Sequence, residues 1–154
     1  MTVTVQLLEP AEWPAFITRS NAEYRRERIE AGDSPEYAEK RAAQSNEQFF
    51  PDGRPAEGQQ VLRVLEDGHP VGSLWLGPFD PEHPRDWWVF DIEIDPEHRG
   101  RGIGRAAMLL AEEVARANGA VKLGLNVFGH NAVAQGLYRS LGYETTAINL
   151  AKAL

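Results

Sequence analysis

A glycine-rich turn with three arginines is the segment of this sequence that most directly indicates a chemistry. It runs from Arg99 to Arg105 as RGRGIGR, between an apolar alternating segment and an amphipathic one. Three glycines let the backbone fold tightly, and the free amide N–H groups at the start of the next helix can bind an anion. The arginines add positive charge at the same place. The pattern therefore predicts a ligand that carries phosphate groups.

The same glycines also fit other nucleotide-binding patterns, but their surroundings argue against them. Residues 102–107, GIGRAA, match the G-x-G-x-x-A spacing of a dinucleotide-binding fold. Such a turn follows its strand directly and requires an acidic residue about 20 positions later. Here residues 95–98 separate the strand from the glycines, and residues 123–126 contain no acid. No Gly-Lys-Ser/Thr follows, as a P-loop requires.

A second pattern lies downstream of the turn. Asn131 and Tyr138 stand seven positions apart and are followed by residues 140–143, SLGY. Together with R-x-x-G-x-G after a strand that ends in Asp-Pro, this pattern resembles the two signatures of the GNAT superfamily of N-acetyltransferases. The resemblance covers about residues 60–146. Residues 1–58 are similar only in their helical character.

The resemblance implies both a fold and a mode of acyl-CoA binding. The fold would be a mixed α/β domain over residues 1–154, with a mostly antiparallel central sheet, one splayed pair of parallel strands and flanking helices. The pantetheine arm of acetyl-CoA would insert between the splayed strands and pair with the backbone of Ile92, Glu93 and Ile94. Side chains of Arg99 and Arg101 would contact phosphate. The backbone amides that would hold the pyrophosphate are those of Gly100, Arg101, Gly102, Ile103, Gly104 and Arg105.

The implied reaction is the transfer of an acetyl group from acetyl-CoA to a primary amine, by direct attack in a ternary complex. The chain contains no cysteine, so a cysteine acyl-enzyme is excluded. Tyr138 is the candidate general acid that protonates the departing CoA thiolate. Asn131 either binds the cosubstrate or caps its helix. The alternative function is a non-catalytic acyl-CoA-binding or sensing module with the same cleft and no working base.

A carboxylate on the strand before the turn is the candidate general base. Some GNAT relatives place a glutamate at the position of Asn126, and an asparagine cannot accept a proton. The prediction therefore moves to Glu93, which can take a proton from the amine directly or through water. Asp91, about 7 Å away along the same strand face, is the second choice.

Composition limits the partners that we expect. A formal net charge of -7 argues against a nucleic-acid surface and is compatible with a cationic acceptor. No apolar run approaches the roughly 20 residues of a membrane span, and residues 1–6 have no basic segment before a hydrophobic one. We expect a cytoplasmic protein without a metal, because no metal-binding spacing is present. The acceptor is a small-molecule, peptide or protein amine, and a homodimer is the expected form if the chain self-associates.

Hydrophobic periodicity and turn residues predict the order of the elements. In residues 87–95 the alternation places Phe90, Ile92 and Ile94 on one face and Val89, Asp91, Glu93 and Asp95 on the other. The other predicted elements are a strand over 3–8, helices over 10–30 and 34–48, a hairpin of 60–66 and 71–76, a helix from 103 ending at Asn118-Gly119, a parallel strand over 121–127, a helix over 131–141 and a final strand from Tyr143.

Overall fold

A mixed five-stranded sheet, with its strands side by side in chain order, lies at the centre of the computed structural model, which describes residues 1–154. Neighbours from β1 to β4 are antiparallel, and β4 and β5 are parallel. This arrangement confirms the predicted fold class. The elements are β1 (Val3–Leu7), α1 (Trp13–Glu30), α2 (Pro35–Phe49), β2 (Gln60–Glu66), β3 (His69–Pro78), β4 (Asp86–Ile94), α3 (Ile103–Ala117), β5 (Lys122–Leu125) and α4 (Ala132–Ser140).

The helix boundaries follow local chemistry that is visible in the sequence. The Ser34 hydroxyl accepts a hydrogen bond from the Tyr37 N–H at 3.2 Å and caps α2, with Pro35 in the first helical position. At the other end of the fold, α3 stops before Gly119, whose φ of 88° is the left-handed conformation that ends many helices. These two helices were predicted to within a residue or two of their ends.

Two apolar clusters cover the two faces of the sheet. On one face α3 buries Ile103, Met108 and its alanines against the strands, which contribute residues such as Leu74 and Val89. On the other face an aromatic cluster packs α1 and α2 onto the sheet; its buried members are Phe16, Phe49, Phe50, Val61 and Trp75. The sheet is therefore fixed on both sides, and α1 is held over the face opposite α3.

A β-bulge in β4 changes the predicted faces of that strand. Trp75 of β3 pairs with Asp91, whereas its neighbour Leu76 pairs with Val89, so Phe90 is an extra residue. A bulge shifts the side-chain alternation by one. Val89 therefore lies on the α3 face together with Ile92, while Phe90 stacks on Trp75 at 4.5 Å between ring centroids. The predicted grouping of Phe90 with Ile92 and Ile94, and of Val89 with the acidic residues, was wrong.

The parallel pairing of β4 with β5 is short. It joins Asp86–Val89 to Lys122–Leu125, and β5 ends there instead of continuing to residue 127 as predicted. Residues 126–128 are not paired with β4, so the segment that follows β5 separates from β4 beyond Val89. A splayed parallel pair is therefore present, as the resemblance to the GNAT superfamily implied.

The predicted final strand from Tyr143 was wrong. Residues 143–154 form no strand, and the side chains of Ile148 and Leu150 are exposed. The backbone N–H of Tyr143 donates to the carbonyl of Tyr138, which ends α4 instead of beginning a ladder. Threonine and isoleucine favour strands only where a partner edge and a buried face are available.

Candidate active site

The separated ends of β4 and β5 enclose a cleft of about 150 Å³. Its walls are residues 89–92 of β4 and residues 125–128, which begin with the last residue of β5. Asn131, Ala134 and Tyr138 contribute from the α4 side. Arg26 and Glu27 of α1 close the remaining side. The structure therefore brings Ile92, Asn131 and Tyr138, three residues of the predicted site, to one cavity.

The backbone of β4 offers unpaired polar groups to this cleft. The Asp95 N–H donates to the Val71 carbonyl at 2.8 Å, so the backbone groups of residue 95 point toward β3. In an antiparallel ladder the direction alternates from residue to residue. Glu93 therefore also faces β3, whereas the N–H and C=O groups of Ile92 and Ile94 face the side where pairing with β5 has ended. The Ile94 carbonyl accepts a hydrogen bond from Arg99 there, so the open groups are the N–H and C=O of Ile92 and the N–H of Ile94.

The glycine turn forms the start of α3 and leaves backbone N–H groups unpaired there. Gly100 and Gly102 have φ values of 74° and 84°, which glycine adopts without strain. Gly102 is the N-cap of α3, and its carbonyl accepts from the Ala106 N–H at 3.1 Å. The N–H groups of residues 103–105 have no helical acceptor, as at any helix start, and the helix dipole adds partial positive charge there.

The three arginines of the turn have different partners. Arg99 donates from Nε to the Ile94 carbonyl at 2.7 Å, which fixes it beside β4. Arg101 is paired with Glu66 of β2 at 2.5 Å, so its charge is largely neutralised. Arg105 donates to the hydroxyl of Ser140, and a hydroxyl leaves its positive charge uncompensated. Arg99 also lies 3.9 Å from the Glu93 carboxylate, so Arg105 is the arginine of the turn whose charge has no carboxylate partner.

Asn131 and Tyr138 lie on α4 at the edge of the cleft. Asn131 caps the helix, since its side-chain oxygen accepts from the Ala134 N–H at 3.1 Å. Tyr138 is half-buried and packs edge-on against Tyr143. Burial raises the pKa of the Tyr138 phenol, and the nearby negative charge of Asp91 raises it further. A phenol with a raised pKa stays protonated and is ready to act as a donor.

The two candidate bases on β4 have unlike surroundings. Glu93 accepts a hydrogen bond from Arg19 of α1 at 2.5 Å and also lies 3.9 Å from Arg99. Asp91 has a buried oxygen, Oδ2, without a hydrogen-bond partner, and its nearest cation is Arg19 at 3.7 Å. Burial raises the pKa of Asp91 from 3.8 to about 7, against the opposing effect of the Arg19 charge. Asp91 therefore titrates near neutral pH.

Sequence reasoning missed Arg19 and Glu27, which α1 brings to the site. Arg19 contacts a strand 74 positions later, and no local spacing announces such a contact. Glu27 lines the cleft and also a second cavity between α1, α2 and the sheet. Burial raises the pKa of its carboxyl. The high charge of the second half of α1 was the signal in the sequence, but charge alone does not distinguish a site from a solvated helix face.

Two further kinds of feature are absent from the structure. No group of three or more His, Cys, Asp or Glu side chains is arranged to hold a metal ion. None of the helices combines the length and the apolar character needed to cross a membrane.

Comparison with known proteins identifies the family. The model of the acetyltransferase (GNAT) family matches residues 14–143. The chain belongs to the GNAT family of N-acetyltransferases. It is 29% identical over 157 residues to the uncharacterized N-acetyltransferase YycN of Bacillus subtilis, with 100% of both chains covered. It is also 31% identical over 160 residues to YdgE of the same organism, covering 100% of this chain and 99% of that one.

Solved structures of GNAT proteins share the fold. The crystal structure of YycN superposes with a TM-score of 0.88 at 28% identity and covers 99% of each chain. PaiA N-acetyltransferase of Thermoplasma acidophilum, solved in complex with coenzyme A, gives a TM-score of 0.64 at 17% identity, over 97% of this chain and 94% of that one. At that identity the likeness shows the fold alone.

Proposed function

We propose that this GNAT protein transfers an acetyl group from acetyl-CoA to a primary amine by direct attack in a ternary complex. One observation carries the proposal: the cleft between β4 and β5 has free backbone groups along one wall and a proton acceptor and a proton donor, Asp91 and Tyr138, in its lining. The glycine turn lies at the start of α3, the helix that follows β4.

The residues present fit acetyl-CoA. The open N–H and C=O groups of Ile92 and the N–H of Ile94 suit the amides of pantetheine. The free N–H groups from Gly100 to Arg105 suit a pyrophosphate. Arg99 and Arg105 add positive charge, and that of Arg105 has no carboxylate partner. When bound, acetyl-CoA supplies a thioester-activated acetyl group. Asn131 lines the same cleft and holds the start of α4, so it positions Tyr138 whether or not it touches the cosubstrate.

Asp91 takes the role of general base in this proposal, ahead of Glu93. A general base works best when its pKa lies near the operating pH, and the pKa of Asp91 is about 7. Its Oδ2 has no hydrogen bond to lose. Glu93, by contrast, would have to leave its ion pair with Arg19 before it could accept a proton. Asp91 removes a proton from the amine nitrogen, whose lone pair then forms the new C–N bond.

Tyr138 holds the proton that the leaving group requires. Its hydroxyl donates that proton to the thiolate sulfur as the C–S bond breaks, and a phenol with a raised pKa is still protonated at that moment. Asp91 and Tyr138 therefore divide the two proton transfers. Both side chains regain their starting protonation state by exchange with solvent after the products leave.

The shape and charge of the acceptor side favour a small cationic amine. A second cavity of about 40 Å³ lies between α1, α2 and β4 and shares Glu27, Phe90 and Asp91 with the cleft. Its ionisable lining consists of Tyr24 and three carboxylates, Glu23, Glu27 and Asp91. Arg26 pairs with Glu23, and Arg19 lies 3.7 Å from Asp91. Glu27 is the carboxylate of this cavity without a cation partner, and it can attract a positively charged group.

The test is an amine screen with the purified protein. Acetyl-CoA is mixed with butylamine, 1,4-diaminobutane, glucosamine, an alanine-initiated peptide or a lysine-containing peptide, and thiol release and product mass are measured. We expect turnover with the small amines, with 1,4-diaminobutane above butylamine. Acetyl-CoA binding without turnover of any amine would favour the non-catalytic sensing function instead.

A further inference from the structure

Arg19 joins α1 to the two strands beneath it at the candidate base. Its guanidinium donates to the Glu93 carboxylate through Nη1 and to the Ser73 hydroxyl through Nη2, each at 2.5 Å. The same Nη2 lies 3.7 Å from Asp91 Oδ2. The guanidinium carbon lies 5.4 Å from the ring centroid of Phe16, a buried residue of the same helix. Three directions of contact and an aromatic ring therefore hold this side chain in one position.

In this position the Arg19 guanidinium contacts the two carboxylates of β4, Glu93 and Asp91, at different distances. Glu93 receives a direct, charge-assisted hydrogen bond from Arg19, so the oxygen that accepts it is already occupied. Asp91 receives only the longer-range attraction of the same cation and keeps Oδ2 free of hydrogen bonds. Arg19 thus pairs with the Glu93 carboxylate and leaves Oδ2 of Asp91 available to accept a proton.

The carboxylates of Glu23, Glu27 and Glu93 oppose the ionisation of Asp91, so the Arg19 cation matters. α2 and β3 contribute only the uncharged Ser45 and Trp75 to the cavities that Asp91 lines. The ionisable groups that line those cavities or adjoin Asp91 are Arg19, Glu23, Tyr24, Arg26 and Glu27 of α1, Glu93 of β4, and His130 and Tyr138 from the β5–α4 side. Of these, Arg19 is the cation that lies within 4 Å of the Asp91 carboxylate.

We propose that Arg19 is a positioning residue that assigns the proton-accepting role to Asp91 by holding Glu93 in an ion pair and by supporting the charged form of Asp91. This inference rests on the proposed function, since it concerns the base of that reaction. It predicts that removal of the Arg19 charge moves the pKa of Asp91 upward, because a cation favours the ionised carboxylate and its loss favours the neutral one.

The direct test measures the Asp91 side chain without any acceptor. Carboxyl ¹³C NMR titrations compare the wild type with Arg19→Met and Arg19→Lys, and Asp91→Asn assigns the signal. Arg25→Met is the matched control, because Arg25 is also an α1 arginine in an ion pair, with Glu39 at 3.3 Å. We expect the pKa of Asp91 to rise by about 1 or more in Arg19→Met, and to stay near the wild-type value in Arg19→Lys and Arg25→Met. An unchanged pKa in a folded Arg19→Met protein would overturn the proposal.

The kinetic test separates the two carboxylates. The pH dependence of kcat/KM is measured with the panel amine that gives the highest value. The acid limb should persist in Glu93→Gln and should move to higher pH when Arg19→Met is added. If the limb disappears in Glu93→Gln, Glu93 is the base and the assignment is refuted. Failure of the whole panel would instead count against the proposed function, and the NMR titration would still decide the effect of Arg19 on Asp91.

Discussion

Replacement of Asp91 by asparagine should stabilise the protein while removing most of its activity. In the folded protein burial holds the pKa of Asp91 at about 7, compared with an ordinary value of 3.8. The folded chain therefore binds more protons than the unfolded chain between about pH 4 and pH 7, and the free energy of unfolding falls as the pH rises through that window. Asparagine cannot ionise, so the variant does not share this loss.

The size of the effect follows from the same values. At about 1.4 kcal/mol for each pKa unit, Asp91 costs at most about 4 kcal/mol of stability above pH 7 and about 2 kcal/mol at pH 5. The free energy of unfolding of Asp91→Asn should therefore exceed that of the wild type by about 2 kcal/mol more at pH 8 than at pH 5. In return, kcat should fall by about 10²-fold or more, as expected for the loss of a general base.

Urea unfolding at pH 5 and pH 8 measures the difference, with the slopes of the transitions compared to ensure that both proteins unfold in the same way. Asp52→Asn, at an exposed turn residue, controls for the substitution itself. A stability difference between Asp91→Asn and the wild type that is the same at both pH values would refute the account of Asp91.

Three other substitutions test the remaining parts of the site. Tyr138→Phe should lower turnover by about 10²-fold with an unchanged calorimetric affinity for acetyl-CoA, and unchanged turnover would exclude the phenol as the general acid. Gly72→Ala should lower the free energy of unfolding, measured in urea, by more than about 3 kcal/mol. The reason is that a Cβ at this position would lie 2.2 Å from the Glu93 carbonyl oxygen. Gly136→Ala is the control and should not destabilise the protein, because a Cβ there has no contact within 4 Å. Gly102 has a φ of 84°, so Gly102→Ala should lower the free energy of unfolding by about 1–2 kcal/mol and should weaken acetyl-CoA binding. Full affinity for acetyl-CoA in calorimetry would show that this turn does not bind the phosphates.

The order and type of most elements could be predicted from the sequence because local signals determine them. At three places the residue type itself requires a particular backbone conformation or hydrogen bond. These are the glycine turn before α3, the Ser34 cap of α2 and the Asn118-Gly119 end of α3. The predicted splayed strands came from the resemblance of the two motifs to the GNAT superfamily, since periodicity contains no information on where two strands separate.

The details that decide the chemistry could not be predicted from the sequence. The bulge at Phe90 depends on the register between β3 and β4, and an alternation drawn along one strand cannot contain it. The sequence likewise ranks Glu93 and Asp91 as candidate bases by their position alone. What distinguishes them in the structure is the distance of each carboxylate from Arg19. The final strand predicted from Tyr143 does not form, because a strand also requires a partner edge.

The most direct test of the central claim is a calorimetric titration of acetyl-CoA into the wild type and two variants of α4. Ala134 lines the cleft of about 150 Å³, so Ala134→Trp should fill it. Val133, its neighbour, is 87% exposed, so Val133→Trp adds the same side chain outside the cleft. We predict micromolar acetyl-CoA binding to the wild type and to Val133→Trp, none to Ala134→Trp, and no binding of NAD to any of the three. Equal acetyl-CoA binding by both variants, or a preference for NAD, would contradict the assignment of this cleft to acetyl transfer.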